Sequence, residues 1–418
     1  MKEKIIQLLR WTEKYTETDM VYATKGSFWI MFGTIGLSLI AFLKMLAFGR
    51  WMDQDVYGRY IFIISMAAIL AIFSLPGLFT SLITAVAKGK EGTLNLAVKE
   101  RLKYSLLGST AALVASSWYL YNQNMELAIA FLIVAIFLPF QSSFNLFSAF
   151  WWGKSDFKRQ SKYSLAVSAL TTSVMIPVII FTDRLIWIIL AFFISHSVFN
   201  GLFFFKTSKR KENNEILPEA ISFGKSLTIM GAIDHFASQV DKIILWKFFG
   251  PVQLAIYSFA QIPIQQIQGI IPIASLALPK IGEKGITAEM KKGLMRKFKK
   301  LFLISVPMAA IAALSAPIFY QVALPQYIES VAYFQAFSFL IALSPFSLLG
   351  VALVAEMKKR EIYIIQITVP ILKMILFLAL VPFWGIWGVV AAILIAGTIN
   401  GLLNLYFFLK INTELAES

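Results

Sequence analysis

The chain has 418 residues, 58% of them hydrophobic and only 15% charged, with a formal net charge of +15 and a mean hydropathy of +0.72. Soluble domains carry about 25% charged residues, so this composition excludes an ordinary water-soluble enzyme or binding module. Cysteine is absent, which excludes disulfides and thiolate metal sites.

Residues 1–25 mix Ile5, Ile6, Leu8, Leu9 and Trp11 with charges and read as an amphipathic segment lying along the cytoplasmic membrane surface. They do not have the pattern of a signal peptide, a short apolar core followed by a small-residue cleavage site. From Gly26 onward the apolar residues fall in runs of about twenty, the length that crosses hydrocarbon as a helix. In the first half the spans are expected at Gly26 to Phe48, Tyr60 to Val86, Tyr104 to Tyr121, Glu126 to Phe150, Tyr163 to Thr182 and Leu185 to Phe205. In the second half they are expected at Phe223 to Phe249, Val252 to Ala277, Phe298 to Val322, Val331 to Ala355, Ile362 to Val381 and Trp384 to Leu409. The fold class is an all-α polytopic membrane protein of about twelve transmembrane helices.

Basic residues give an independent test of this reading, because Lys and Arg collect in cytoplasmic loops. Thirty of the 38 lie in the N-terminal segment, in alternate loops and at Lys410; the loops include Lys88 to Lys103, Lys154 to Lys162, Lys206 to Lys211, Lys280 to Lys300 and Lys358 to Arg360. The opposite loops hold only Arg50, Arg59 and Arg184. Both termini are therefore expected in the cytoplasm, and the net charge is explained by loops that face anionic headgroups. A nucleic-acid partner would need the charge gathered on a soluble module, and none is expected here.

The outer loops are too short for a catalytic domain. His196 and His235 are the only histidines, and neither stands in a metal-ligand spacing such as H-E-x-x-H. Enzymatic activity is not expected, nor is a bound cofactor. A shift of 198 residues aligns Gly26 with Gly224, Gly33 with Gly231, Ile35 with Ile233 and Lys44 with Lys242, and one deletion later Tyr60 matches Tyr257. These identities open the first and seventh spans. They predict two six-helix lobes, residues 26–211 and 212–410, related by a parallel repeat of the kind transporters use, with residues 411–418 as a cytoplasmic tail.

Ionisable residues inside spans are costly in hydrocarbon and face a cavity or one another. At 100° per residue, Asp234, His235, Ser238, Gln239, Asp241 and Lys242 share one arc of the seventh span, opposite an arc that includes Ile233, Phe236 and Val240. The alternative is that Asp241 and Lys242 pair locally and hold two helices together. Lys373 lies about 16 Å along its helix from the cytoplasmic end, near the bilayer midplane, where snorkelling is hardest. Lys44 and Lys242 stand within two turns of the outer ends of their spans. Lys225 reads as an interfacial anchor and His196 as a structural hydrogen-bonding residue.

Several segments carry a family resemblance: KGSFWIMFGTIG at the first span, WMDQDVYGRY after it, FSLPGLF and AKGKEG around the end of the second, and VDKIIL and AIYSFAQIP in the second half. They resemble the Wzx-type polysaccharide flippases of the multidrug/oligosaccharidyl-lipid/polysaccharide exporter superfamily. That resemblance implies two six-helix lobes flanking a central cavity. The implied cargo is an undecaprenyl-diphosphate-linked oligosaccharide of O-antigen or capsule type, moved to the outer leaflet of a bacterial inner membrane beside polysaccharide polymerase machinery. Lys373, Lys44 and Lys242 would attract the anionic diphosphate. Asp234 is expected to contact sugar hydroxyls or to take part in proton or sodium coupling, and Asp241 to balance Lys242. The competing expectation is a cation-coupled exporter of cationic drugs on the same fold; a membrane scaffold is the third class.

Overall fold

The structure, a computed structural model, describes residues 20–270, 288–356 and 358–411. The expected surface segment before Met20, the end of the eighth span and the C-terminal tail fall outside these residues. All regular structure among them is helical, as lipid requires, because hydrocarbon offers no partner for an unpaired backbone N–H or C=O. The first half contains α1 (Met20–Trp51), α2 (Gln54–Leu70), α3 (Leu78–Ala87), α4 (Thr93–Tyr121), α5 (Met125–Phe144), α6 (Leu146–Gly153), α7 (Phe157–Phe181) and α8 (Leu185–Ser208). The second contains α9 (Pro218–Ala237), α10 (Val240–Ile270), α11 (Ala288–Ala323), α12 (Ser330–Phe337), α13 (Phe339–Leu343), α14 (Phe346–Ala355), α15 (Lys359–Trp384) and α16 (Ile386–Leu409).

Nine helices among the described residues are long and apolar enough to cross a bilayer, ten if the pair bent by 45° at Ser344 and Pro345 counts as one span. The expected twelve is therefore not reached by length and hydropathy alone, for two physical reasons. The 52-residue stretch Pro218–Gly269 counts once, yet the Tyr257 hydroxyl bonds the Asp241 carboxylate. A continuous helix would hold those residues about 24 Å apart. The chain must turn back at Gly250, whose φ of 78° only glycine adopts freely, so this stretch holds two spans. The other reason is α4, whose charge-free stretch Tyr104–Tyr121 is diluted by Ser105, Ser109, Thr110, Ser116 and Ser117 and so is less apolar than the other spans.

Spans are interrupted where local chemistry competes with the helix. The second span passes through a 3₁₀ turn, Ala71–Ser74, then Leu75 at φ 56°, Pro76 and Gly77 before α3. Proline withholds an N–H, and a Cβ at Gly77 would stand 2.4 Å from the Gly224 carbonyl oxygen. The seventh span breaks at Ser238 and Gln239, where the Ser238 hydroxyl donates to the His235 carbonyl at 2.7 Å and the Gln239 amide donates to Ser238 Oγ at 3.1 Å. Such side-chain bonds offer the backbone an alternative to the helical ladder.

The described residues form two compact units: residues 20–41, 70–178 and 186–230, and residues 42–69, 179–185, 231–270, 288–356 and 358–411. In the first unit Leu78, Leu82, Leu94, Phe150 and Trp151 form a buried core, and Trp151 Nε1 donates to Thr207 Oγ1 at 2.9 Å. Arg101, expected in a solvated loop, is 4% exposed. Its guanidinium donates to the carbonyls of Leu75 (3.3 Å), Pro76 (3.2 Å) and Ser142 (2.6 Å) and to Asn145 Oδ1 (2.8 Å). These acceptors lie where the second span breaks and where α5 gives way to α6, so one planar fork of donors serves two chain interruptions.

The AKGKEG segment forms a second polar knot. Glu91 is 2% exposed; its carboxylate accepts from Lys154 Nζ at 2.5 Å and from the Glu212 N–H at 2.7 Å, and Glu212 also pairs with Lys154 at 3.0 Å. The hydrogen bond that Lys154 donates to the Glu91 carboxylate raises the Lys154 pKa above its ordinary 10.5. The pairing is therefore fully present below that ordinary value and is lost only as pH rises through the higher folded one. Glu91→Ala is expected to cost about 2 kcal/mol and to free the 209–217 linker, read as faster tryptic cleavage at Lys209, Arg210 and Lys211 at neutral pH. Unchanged cleavage would mean that Asn213 and Glu215 hold the linker unaided.

In the second unit a buried aromatic core gathers Tyr57, Phe259, Tyr320 and Tyr327. Ring centroids stand 4.5 Å apart for Tyr57–Phe259 and 3.8 Å for Phe259–Tyr327, and the Tyr320 hydroxyl donates to the Phe259 carbonyl at 2.8 Å. On α11 the residues Leu303, Ile311, Leu314 and Ile318 are 66–77% exposed, an apolar stripe for lipid rather than water. Gly58, from the WMDQDVYGRY segment, lies against the turn at Gly250, where a Cβ would sit 1.9 Å from the Pro251 carbonyl oxygen. Gly58→Val should therefore destabilise the unit by about 1–3 kcal/mol or more, measured as a lower melting temperature in detergent; a wild-type melt would show that the Pro251 turn yields.

Candidate functional site

The second unit carries the in-span charges singled out in the sequence. Asp241 stands in the first turn of α10 and is 3% exposed. One carboxylate oxygen accepts the Tyr257 hydroxyl; the other has no hydrogen-bond partner and lies 3.9 Å from Lys242 Nζ. Lys242 itself donates to Gln239 Oε1 at 3.1 Å and to the Ser238 carbonyl at 3.4 Å, closing the chain break between α9 and α10. Lys373, on α15, is half-buried and lies within electrostatic reach of Asp241, Asp234 and Lys242. Its ammonium is 5.8 Å from the centroid of the Phe377 ring, a cation–π distance.

Asp234, Asp241, Lys242 and Lys373 thus form one cluster, two acids and two bases. Lys44 is apart from it: half-buried in α1, it has no ion-pair partner among the described residues. His235 is exposed and its imidazole faces Gly231, where a Cβ would stand 3.5 Å from Cδ2. Gln239 is held by Ser238 and Lys242. The expected polar arc of the seventh span does not continue past Ser238 and Gln239. Asp234 and His235 are exposed while Asp241 is buried, because the break at Ser238 and Gln239 resets the helical phase.

Lys225 pairs with Glu100 at 2.9 Å and donates to the Tyr104 hydroxyl at 3.2 Å. His196 Nδ1 stands 3.0 Å from the Phe192 carbonyl. Sequence reasoning did not single out Tyr257 as the partner of Asp241. The alignment of Tyr257 with Tyr60 was the available signal, but the Asp241 contact needs the reversal at Gly250 to be known. No group of three or more His, Asp or Glu among the described residues could hold a metal ion.

These helices define an all-α polytopic membrane protein with charged side chains inside its spans. Residues 23–283 match the family model described as polysaccharide biosynthesis protein, and the chain belongs to that family, where the resemblance to Wzx-type flippases also placed it. Its fold is similar to that of the lipid II flippase MurJ in an inward closed conformation, with a TM-score of 0.69 and 15% identity over 93% of this chain and 88% of that one. It is similar also to an outward-facing multidrug resistance MATE family transporter of the MOP superfamily, at TM-score 0.64 and 16% identity over 92% and 95% of the two chains. A MOP superfamily transporter from Pyrococcus furiosus gives 0.63 and 16% over 92% and 96%. At such identities the likeness concerns the fold. No curated protein matches in sequence.

Proposed function

We propose that the chain is a flippase that moves undecaprenyl-diphosphate-linked oligosaccharide repeat units, of O-antigen or capsule type, from the cytoplasmic to the outer leaflet of a bacterial inner membrane by alternating access. Both termini are then cytoplasmic, and a polysaccharide polymerase is the natural consumer of the product. Family membership supports a role in polysaccharide assembly, and the fold is one that a lipid-linked precursor flippase uses. One observation carries the choice of an anionic cargo. In the second unit Asp234 and Asp241 have Lys242 and Lys373 within reach, and among the described residues the ammonium of Lys44 has no opposing carboxylate. A half-buried cation in a low-dielectric span is complementary to a diphosphate.

In this reading Lys44 and Lys373 contact the diphosphate, Lys242 stays with Asp241, and His235, Gln239 and Asp234 are available to sugar hydroxyls. Binding of the diphosphate at Lys373 would draw that ammonium from Asp234 and Asp241 and favour their taking up a proton or a sodium ion. Asp234→Asn is then expected to change the dependence of transport on pH or sodium; full transport at every pH and sodium level would remove the coupling role. The unpartnered oxygen of Asp241 favours, as a second reading, a cation-coupled exporter of cationic drugs. The deciding measurement is the sidedness of undecaprenyl-diphosphate oligosaccharide in inner-membrane vesicles from cells with and without the gene. Repeat units confined to the cytoplasmic leaflet only without it establish the flippase. An unchanged distribution, with gene-dependent drug resistance, establishes the exporter.

A further inference from the structure

One arrangement of charge in the first unit has no part in that transport reading. The Trp29 indole, near the start of α1, has two ammonium groups over it: Lys158 Nζ at 5.6 Å and Lys162 Nζ at 5.7 Å from the ring centroid. Neighbouring cations of the same unit have carboxylates: Lys90 with Glu215 at 2.6 Å, Lys154 with Glu91 at 2.5 Å and Arg159 with Asp156 at 3.3 Å. Lys158 and Lys162 have no carboxylate partner among the described residues. They are one helical turn apart on α7, where like charges repel, and the ring's quadrupole attracts both without neutralising either.

The base beneath them is fixed. Between the two lysines the Ser161 hydroxyl donates to the Trp29 carbonyl at 2.7 Å, and a Cβ at Gly33 would stand 2.5 Å from Ser161 Oγ, so α1 and α7 meet without room to slide. Beside the indole Phe28 and Phe32 stack at 6.3 Å, each packs edge-on to Trp29 at 5.7 Å, and both are at least half exposed. The surface thus offers paired cations over an indole beside bare aromatic rings. That order matches a lipid that carries a negative phosphate above acyl chains, at the depth where tryptophan and lysine meet headgroups.

We propose that Trp29, Lys158 and Lys162 bind the phosphate of an anionic glycerophospholipid in the leaflet that faces the basic loops, with its acyl chains along Phe28 and Phe32. A phosphate oxygen between the two ammonium groups replaces their repulsion by two attractions. A bilayer lipid is favoured over a polyprenyl diphosphate because anionic glycerophospholipids are present at this depth at high concentration.

The test is native mass spectrometry of the purified full-length chain with phosphatidylglycerol, phosphatidylcholine or undecaprenyl diphosphate. Lys158→Gln with Lys162→Gln should weaken phosphatidylglycerol retention about thirty-fold, Lys158→Arg with Lys162→Arg should keep it, and Lys99→Gln with Lys103→Gln, on α4, should leave it unchanged. Equal retention by the Gln pair, or of phosphatidylcholine by the wild type, would overturn the proposal. So would a Gln-pair defect confined to undecaprenyl diphosphate, which would assign the site to the cargo. Melting temperatures of the lipid-free variants show that the Gln pair is folded.

Discussion

Lys373→Glu is expected to lower glycan export by about a hundredfold or more while leaving the chain inserted and folded enough to purify. The change turns a balanced cluster into three carboxylates with one ammonium, Lys242, in reach. Placing a charge of the wrong sign within a span costs about 2.5–3.5 kcal/mol, and tenfold in rate corresponds to about 1.4 kcal/mol. The same cost falls on the anionic diphosphate as it approaches, which makes the effect on transport larger than the effect on stability. Lys373→Arg keeps the charge and should retain most export; Lys373→Gln should fall between. The readout is lipid-linked repeat units reaching the outer leaflet of vesicles, alongside the amount of monodisperse protein recovered. Normal export by the glutamate variant would make Lys373 a structural residue and leave Lys44 as the only candidate contact for the diphosphate.

The second large effect is expected at Arg101. Arg101→Leu removes four charge-assisted hydrogen bonds at once, although the carbonyls of Leu75 and Pro76 keep the backbone N–H groups of Leu78 and Phe79. A hydrogen bond to a charged group is worth about 1.5–3 kcal/mol, so even with relaxation the loss should exceed about 3 kcal/mol. Lysine is a poor substitute, because a single ammonium cannot reach acceptors on two broken spans as a planar fork does. Thermal unfolding in detergent should place Arg101→Leu well below wild type and Arg101→Lys between them. A leucine variant that melts like wild type would mean that waters already serve these carbonyls.

Hydropathy and the alternation of basic loops made the spans legible, since both follow from the bilayer's own physics and need no knowledge of packing. The turn at Gly250–Pro251 was legible as a pair that cannot continue a helix, whereas the break at Pro76–Gly77 fell inside the span expected from Tyr60 to Val86. The break at Ser238–Gln239 was not legible either, because serine and glutamine interrupt a helix only when their side chains find local backbone partners. Arg101 and Glu91 read as loop charges for a related reason. A charge run looks solvated until the surrounding chain is known to bury it, and their partners lie 25 to 121 residues away. Of the candidate site, the in-span lysines and aspartates were found by their cost in hydrocarbon alone. Which of them cancel, and that Lys44 has no opposing carboxylate, depended on tertiary contacts with Tyr257 and α15.

The balance of that cluster also determines what a voltage can act on. Carrying one elementary charge across the membrane is worth about 2.3 kcal/mol per 100 mV. With both carboxylates ionised, Asp234, Asp241, Lys242 and Lys373 sum to zero, so a potential exerts no net pull on them as a group; a proton or sodium ion taken up by either carboxylate adds one charge that the field can move. Lys44, Lys247 and the bound cargo carry further charge that the field can move. The electrical signature of a transport cycle would then scale with the phosphates of the cargo, and Lys44→Gln would change it by one charge.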